Sequence, residues 1–303
     1  MIAAPPENVT ALRRRHWRLE RGVVDSAGRI VPAEGTPEIA FLTLDVAEQS
    51  TNVLSQEVLR ELDQLLAEIA TLPLAGLVIR SGKPSGFIAG ADVREFQRIG
   101  DAARAAELAR AGQLVYSRLG ELAFPSVAVM HGFCLGGGME LALACRYRVA
   151  RDDAGTRLGL PEVRLGIHPG FAGTVRLPPL IGHLPALDLM LTGRAVRAKE
   201  ALRLGLVDEV VPERHLLHAA QARLRAQPPH RVPPWYQRLP GWSPLRPLIV
   251  RLLERRLRAR ANPDHYPAPY RMLELWREHA GEEREALSLG ELLVGRTSRS
   301  LVH

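Results

Sequence analysis

Three short apolar runs, Ile39-Ala-Phe-Leu-Thr-Leu-Asp45, Leu74-Ala-Gly-Leu-Val-Ile-Arg80 and Ser126-Val-Ala-Val-Met130, are separated by two stretches whose apolar residues recur at helical spacing. Strands that alternate with helices in this way favour a parallel sheet with helices packed over it, an α/β arrangement. The first helical stretch sets Val58, Leu62, Leu65, Leu66 and Ile69 on one face, with Ser50-Thr51-Asn52 as its N-caps and Pro73 as its stop. The second runs from Asp101 to Leu119. A looser alternation at His16-Trp-Arg-Leu-Glu20 precedes the first apolar run and predicts an opening hairpin with it.

Beyond Met130 the pattern predicts a helix from Leu141 that continues through Arg148-Val-Ala150, a loop at Arg151-Asp-Asp-Ala-Gly155 and a turn opened by Leu158-Gly-Leu-Pro161. Short helices follow at Pro185 to Leu191 and Ala198 to Leu204, and a strand at Val207 to Val211. Prolines then crowd the stretch from Pro228 to Pro247, after which helical patterns return at Leu248 to Arg260 and Tyr270 to Leu293. The chain therefore divides into an α/β region, 1–226, and a C-terminal helical region, 227–303, which its apolar positions predict to be folded.

Composition excludes several classes. With 46% apolar and 24% charged residues, the chain has the make-up of a globular protein, and no run approaches the roughly 18 uninterrupted apolar residues of a membrane span. Met1-Ile-Ala-Ala-Pro-Pro lacks the basic-then-apolar order of a secretory signal, which predicts a cytoplasmic chain. Cys134 and Cys145 alone build neither a disulfide framework nor a metal cage. The formal charge of +7 rests on arginine, since Lys83 and Lys199 are the only lysines. That charge suits an anionic substrate such as a phosphate-bearing coenzyme without specifying one, and an excess made almost wholly of arginine points to genomic base composition as much as to selection, which weakens any case for nucleic acid.

Chemistry concentrates in three segments: Gly86-Phe-Ile-Ala-Gly-Ala-Asp-Val-Arg-Glu95, His131-Gly-Phe-Cys-Leu-Gly-Gly-Gly-Met-Glu-Leu141, and Leu158-Gly-Leu-Pro-Glu-Val-Arg-Leu-Gly-Ile-His-Pro-Gly-Phe-Ala-Gly-Thr174. A strand that enters Gly136-Gly137-Gly138 and then a helix leaves unpaired amides where a developing oxyanion is stabilised by hydrogen bonds and by the helix dipole. Gly137 is one candidate donor, and Ala91 in the tight Ala-Gly-Ala-Asp loop is the other. Asp92 is placed to cap a helix beginning there. Glu140 falls in the first turn after the glycines, and Glu162 follows a rigid Leu-Pro turn. Two carboxyl groups of differing pKa can activate water and manage a proton at the neighbouring carbon.

Each feature has a plainer explanation when taken alone. Glycine runs are usually turns, a first-turn glutamate complements a helix dipole, and Glu162 is within reach of Arg157 or Arg164. Their joint occurrence carries the argument. His131 and His168 have no partner at metal-ligand spacing and are expected to be structural, with no metal required. The arginines from Arg251 to Arg260 lie among Leu252, Leu253 and Leu257 and fit a packed amphipathic helix with a solvated face.

In order and approximate spacing, the three segments resemble the signature regions of the crotonase (enoyl-CoA hydratase/isomerase) superfamily. The resemblance runs from about residue 39 to 226. It is strongest to the hydratase half of the alpha subunit of the bacterial fatty-acid oxidation multienzyme complex, and it continues through Tyr266-Pro-Ala and Gly290-Glu-Leu. It implies a fold of repeated ββα units with a C-terminal helical extension. It also implies hydration of trans-2-enoyl-CoA to 3-hydroxyacyl-CoA in β-oxidation, with 3-to-2 enoyl isomerisation through Glu162 as an added activity.

Residue by residue, the resemblance assigns Glu140 and Glu162 as the catalytic pair and the amides of Ala91 and Gly137 as the oxyanion hole. Gly170 seats the catalytic water. Ala89 and its neighbour Asp92 lie where the adenine is recognised, and Arg94 and Lys83 lie near the coenzyme A phosphates. Acyl-CoA is the substrate, and no separate cofactor is implied. Ala172 departs from the family's Pro-Gly-x-Gly-Gly run. The multienzyme relatives continue into a dinucleotide-binding dehydrogenase domain, whereas no Gly-x-Gly-x-x-Gly follows a strand here, so neither NAD binding nor hydride transfer is expected. Expected partners are a second copy of the chain or a dehydrogenase or thiolase. The rival reading is a non-catalytic docking fragment of a multienzyme or an RNA-binding crotonase relative.

Overall fold

The computed structural model of the chain describes residues 11–92, 95, 99–259 and 261–302. Its first half contains β1 (Ala11–Arg13), β2 (Trp17–Val24), β3 (Ile30–Val31), β4 (Ile39–Leu44), α1 (Gln56–Ala70), β5 (Gly76–Ser81), β6 (Gly86–Ile88), α2 (Ala102–Gly120), β7 (Ser126–Met130), β8 (Phe133–Leu135) and α3 (Gly137–Ala144). There follow β9 (Tyr147–Arg151), β10 (Arg157–Gly159), α4 (Gly173–Ile181), α5 (His183–Thr192), α6 (Ala198–Leu204), β11 (Glu209–Val211) and α7 (Leu216–Ala226). The C-terminal region is helical: α8 (Trp235–Arg238), α9 (Arg246–Arg258), α10 (Ala268–Glu278), α11 (Glu282–Leu293) and α12 (Arg296–Val302).

The expected hairpin is present. β2 and β4 pair antiparallel, from Trp17 opposite Leu44 to Gly22 opposite Ile39. From β4 the main sheet proceeds through β5, β7, β9 and β11, all parallel. The strands β5, β7 and β9 each run on into a short strand, and these second strands form a separate parallel sheet ordered β10-β8-β6. The repeated ββα pattern is thus the crotonase-type α/β fold. Its second sheet carries the ends of the three chemically loaded segments to one place.

Helix α1 buries Val58, Leu62, Leu65, Leu66 and Ile69 against the sheet, and complete burial of each contributes about 2 kcal/mol. Its cap differs from the expectation. Ser55 accepts from the amide of Val58, whereas Asn52 is buried and ties together Leu44, Val46, Ser81 and Phe87 where β4, β5 and β6 meet. The helix predicted to continue through Arg148-Val-Ala150 ends at Ala144, and those residues lie in β9. Tyr147 and Val149 enter one core and Ala150 the other, the two-residue period of a strand. Leu158 and Gly159, read as a turn, belong to β10.

The single helix predicted from Tyr270 to Leu293 is two, broken at His279, whose φ of 55° is left-handed. Both pack inward: Met272, Leu273, Trp276, Ala286, Leu289, Leu292 and Leu293 join the same buried cluster as Leu42 and Leu62. Gly290 allows α11 to press on α2, since a Cβ there would lie 2.3 Å from the carbonyl oxygen of Ala102. On α9, Val250 is buried and Leu253 partly so, but Leu248 and Leu252 face outward, at 67% and 50% exposure. No described helix is long and apolar enough to cross a membrane.

Candidate active site

β8 ends in a backbone that only glycine accommodates easily. Gly136 has a φ of 52°, and a Cβ on Gly138 would stand 2.6 Å from Cβ of Ile88 and 2.7 Å from its carbonyl oxygen. This close approach seats the start of α3 against β6. The amide of Gly137, at the first helical position, has no intrahelical acceptor. Its carbonyl accepts a hydrogen bond from the buried hydroxyl of Tyr116, 2.8 Å away. In the facing loop, Leu54 pairs with the Gly90 carbonyl and the Asp92 amide on either side of Ala91, which turns the Ala91 amide the opposite way. Ala91 and Gly137 both line a cavity of about 110 Å³, together with Ala89, Gly136, Glu140, Glu162, Gly170, Phe171 and Leu289.

Glu140 is buried, and its Oε1 accepts from the amides of Phe171 at 2.7 Å and Gly173 at 2.8 Å. Burial, then the charges of Glu162 and Glu285, push its carboxyl well above the usual carboxylate range, and the two amide bonds oppose that rise. Glu162 opens a short 3-10 turn after Pro161. The residue is half-buried, but both carboxyl oxygens are sealed from solvent with no hydrogen-bond partner among the described residues. Burial raises it to about 8, its own backbone amide opposing the rise from beyond hydrogen-bond geometry and the nearby Glu285 adding to it. The two carboxyl groups that the sequence singled out therefore share a cavity but have opposite surroundings, one held by donors and one bare.

A third carboxyl escaped the sequence reading. Glu285, on α11, is completely buried and raised to about 7, burial being the main cause. The signal was its position: Glu285, Leu289 and Leu292 recur at helical spacing, which places an acid on the apolar face. Tyr116, Phe171 and Gln113 were also missed. Tyr116 packs edge-on to Phe171, with ring centroids 5.4 Å apart.

The remaining candidates are less closely gathered. Ala89 and Gly170 line the cavity. Asp92 flanks Ala91, and its carbonyl accepts from the Glu95 amide. Lys83 sits away from the cavity wall, with Nζ 2.6 Å from Asp45. Arg94, and the helix that Asp92 was expected to cap, lie outside the described residues. His131 meets the Lys83 carbonyl. His168 is buried between the Pro169 carbonyl and the Ser288 hydroxyl, and burial lowers it to about 4, so it is neutral. A larger hollow, of about 600 Å³, opens near Arg146 and His230 but contains none of the three glutamates, whereas Glu140 and Glu162 line the smaller cavity.

Fold and site together define a crotonase-type enzyme. Residues 34–230 match the family described as Enoyl-CoA hydratase/isomerase, and the chain belongs to that family. It is similar to proteins named fatty acid oxidation complex subunit alpha, at 41% identity over 274 residues with that of Shewanella putrefaciens and 41% over 273 residues with that of Vibrio campbellii. Each alignment takes in 87% of this chain and 39% of the relative, so the chain spans about two-fifths of their length. Among solved structures, an enoyl-CoA hydratase of Bacillus anthracis is 33% identical, with a TM-score of 0.57 over 64% of this chain and 74% of its own. An enoyl-CoA hydratase of Bacillus halodurans, 19% identical, has a TM-score of 0.65 over 89% of this chain and 97% of its own, a likeness of fold.

Proposed function

We propose that this chain adds water across the double bond of a trans-2-enoyl-CoA, giving the 3-hydroxyacyl-CoA of fatty-acid β-oxidation. The observation that carries the reading is the pairing of Glu140 and Glu162 in one cavity under opposite hydrogen bonding. Both carboxyls are raised, so the pair holds a proton at neutral pH. The two amides on Oε1 of Glu140 favour its ionised form, and the bare oxygens of Glu162 favour the protonated one. Glu140 is then the base that takes a proton from water as its oxygen bonds C3. The thioester oxygen gains the enolate charge, which the Ala91 and Gly137 amides receive, and Glu162 delivers its proton to C2.

Gly170 seats the water on this reading, and Ala89, Asp92, Arg94 and Lys83 serve the coenzyme. Isomerisation of a 3-enoyl to a 2-enoyl chain would need only Glu162, which would start ionised, take the proton from C2 and return it at C4. The name shared by the relatives from Shewanella and Vibrio supports a place in a multi-subunit complex, and a dehydrogenase or thiolase is the partner we propose for it. The test is hydration of crotonyl-CoA, followed by loss of the enoyl absorbance. Turnover that disappears in Glu140→Gln supports the reading. A wild-type chain that binds acyl-CoA without turnover would sink it and favour a docking role.

A further inference from the structure

Glu285 takes no part in the hydration as proposed, yet it lies against the loop that holds the base. Its Oε1 accepts from the Ala172 amide at 2.6 Å and from Gln113 Nε2 at 3.2 Å. Its Oε2 accepts from the Thr174 amide at 3.0 Å and from the Thr174 hydroxyl. The intervening amides, Phe171 and Gly173, go to Glu140. Four successive donors at the start of α4 are thus divided alternately between two buried carboxyl groups on opposite sides of one loop.

We infer that Glu285 is a positioning residue for the proposed reaction: by gripping the far side of the Phe171–Thr174 loop it fixes the Glu140 carboxyl and, when ionised, sets a negative charge behind it. Four donors converge on two oxygens, which a carboxylate can accept in full and an amide cannot, since one of its two ends only donates. The loop also needs the grip. Ala172 adopts a left-handed φ of 73°, a conformation that strains a residue with a Cβ, and its amide is one of those that Glu285 holds. Gln113, on α2, bonds the Gly170 carbonyl at 3.0 Å as well as Glu285, so the grip extends to the preceding residue.

Among the described residues no compensating cation sits on the cluster. Among the described residues Glu140, Glu162 and Glu285 form no ion pair, and Arg176 of α4 is engaged by Glu282 at 3.0 Å. The other titratable groups facing Glu140 are Tyr116 from α2 and Glu162 from its 3-10 turn. His168, beside them in the cavity wall, is neutral. Removing the charge of Glu285 therefore eases ionisation of both other carboxyls.

This inference rests on the hydratase reading, so its test has one arm that needs no turnover. In Glu285→Gln, kcat for crotonyl-CoA should fall about tenfold or more with KM within about twofold, because a displaced reacting group costs rate before it costs binding. Both limbs of the pH profile should move to lower pH. In the resting protein, carbon-13 NMR of labelled glutamate should show Glu140 titrating at lower pH in the variant. Glu285→Asp, which keeps the charge but shortens the reach, should restore the limbs without restoring kcat. If Glu285→Gln does not fold, Thr174→Val removes one donor and should lower kcat several-fold at constant KM. Unmoved limbs and titration in Glu285→Gln, or unchanged kcat in Thr174→Val, would overturn the role. Absence of turnover in the wild type defeats the hydratase reading, while the titration still decides the coupling.

Discussion

A Cβ on Gly136 would lie 3.2 Å from Oε1 of Glu162, so the carboxyl rests against bare backbone where β8 turns into α3. The φ of 52° and ψ of −129° at Gly136 form a backbone conformation that essentially only glycine adopts, where a side chain costs about 1–3 kcal/mol. Gly136→Ala adds that strain and also crowds a carboxyl that has no hydrogen bond to hold it in place. Thermal unfolding should show a loss of about 1–3 kcal/mol, and hydration of crotonyl-CoA should slow about tenfold or more. Ordinary turnover in a destabilised variant would separate Glu162 from the reaction.

Direct replacement of the pair is the sharper experiment. Glu140→Gln and Glu162→Gln should each lower kcat by about 10²–10⁴, the usual worth of a general acid or base. Acyl-CoA binding by calorimetry should change little, because the coenzyme is held by other parts of the surface. A variant that turns over at nearly the wild-type rate would remove its residue from the mechanism.

Stability should depend on the same groups. Glu162 rises from an ordinary 4.5 to about 8 on folding, and Glu285 from 4.5 to about 7. In each case the folded chain holds the proton more tightly than the unfolded one. The stabilisation is therefore complete below 4.5 and is lost as pH climbs through about 7 for Glu285 and about 8 for Glu162. The thermal midpoint should fall between pH 4.5 and 8, and Glu162→Gln should flatten that fall. A midpoint that rises across this range would show that neither carboxyl is buried in its neutral form.

Much of this was legible in the residues. The helix face from Val58 to Ile69, the strand Ser126–Met130 and the boundaries of Ala198–Leu204 follow from local periodicity, and the structure has them. The glycine run placed Gly137 and Glu140 together because a strand-to-helix turn fixes both over a few residues. What local pattern could not supply was contact across the chain. Asn52 looked like a cap, but its side chain is consumed by β4, β5 and β6. Arg148 read as helical because its period-2 neighbours sat directly after a true helix. Glu285 is 145 residues from Glu140 in sequence, and only the packing of α11 on α2 brings it behind the same loop.

The C-terminal helices should accordingly be indispensable to the site. Ending the chain near Gln227 removes Glu285, leaves the amides of Ala172 and Thr174 without their acceptor and takes Leu289 from the cavity wall. It also exposes the apolar surface of α2 and α4 that Met272, Leu273, Trp276, Ala286 and Leu293 now help to cover. Each large apolar side chain lost from such a core costs about 2–5 kcal/mol, so the deficit is of the same size as the 5–15 kcal/mol by which domains are typically stable. Light scattering and thermal unfolding on the full chain and on the shortened one should show a folded species in the first case and aggregation in the second, with no hydration of crotonyl-CoA. A shortened chain that stays monomeric, with an unchanged midpoint and full turnover, would show that α9 to α12 contribute neither to the core nor to the placement of Glu140.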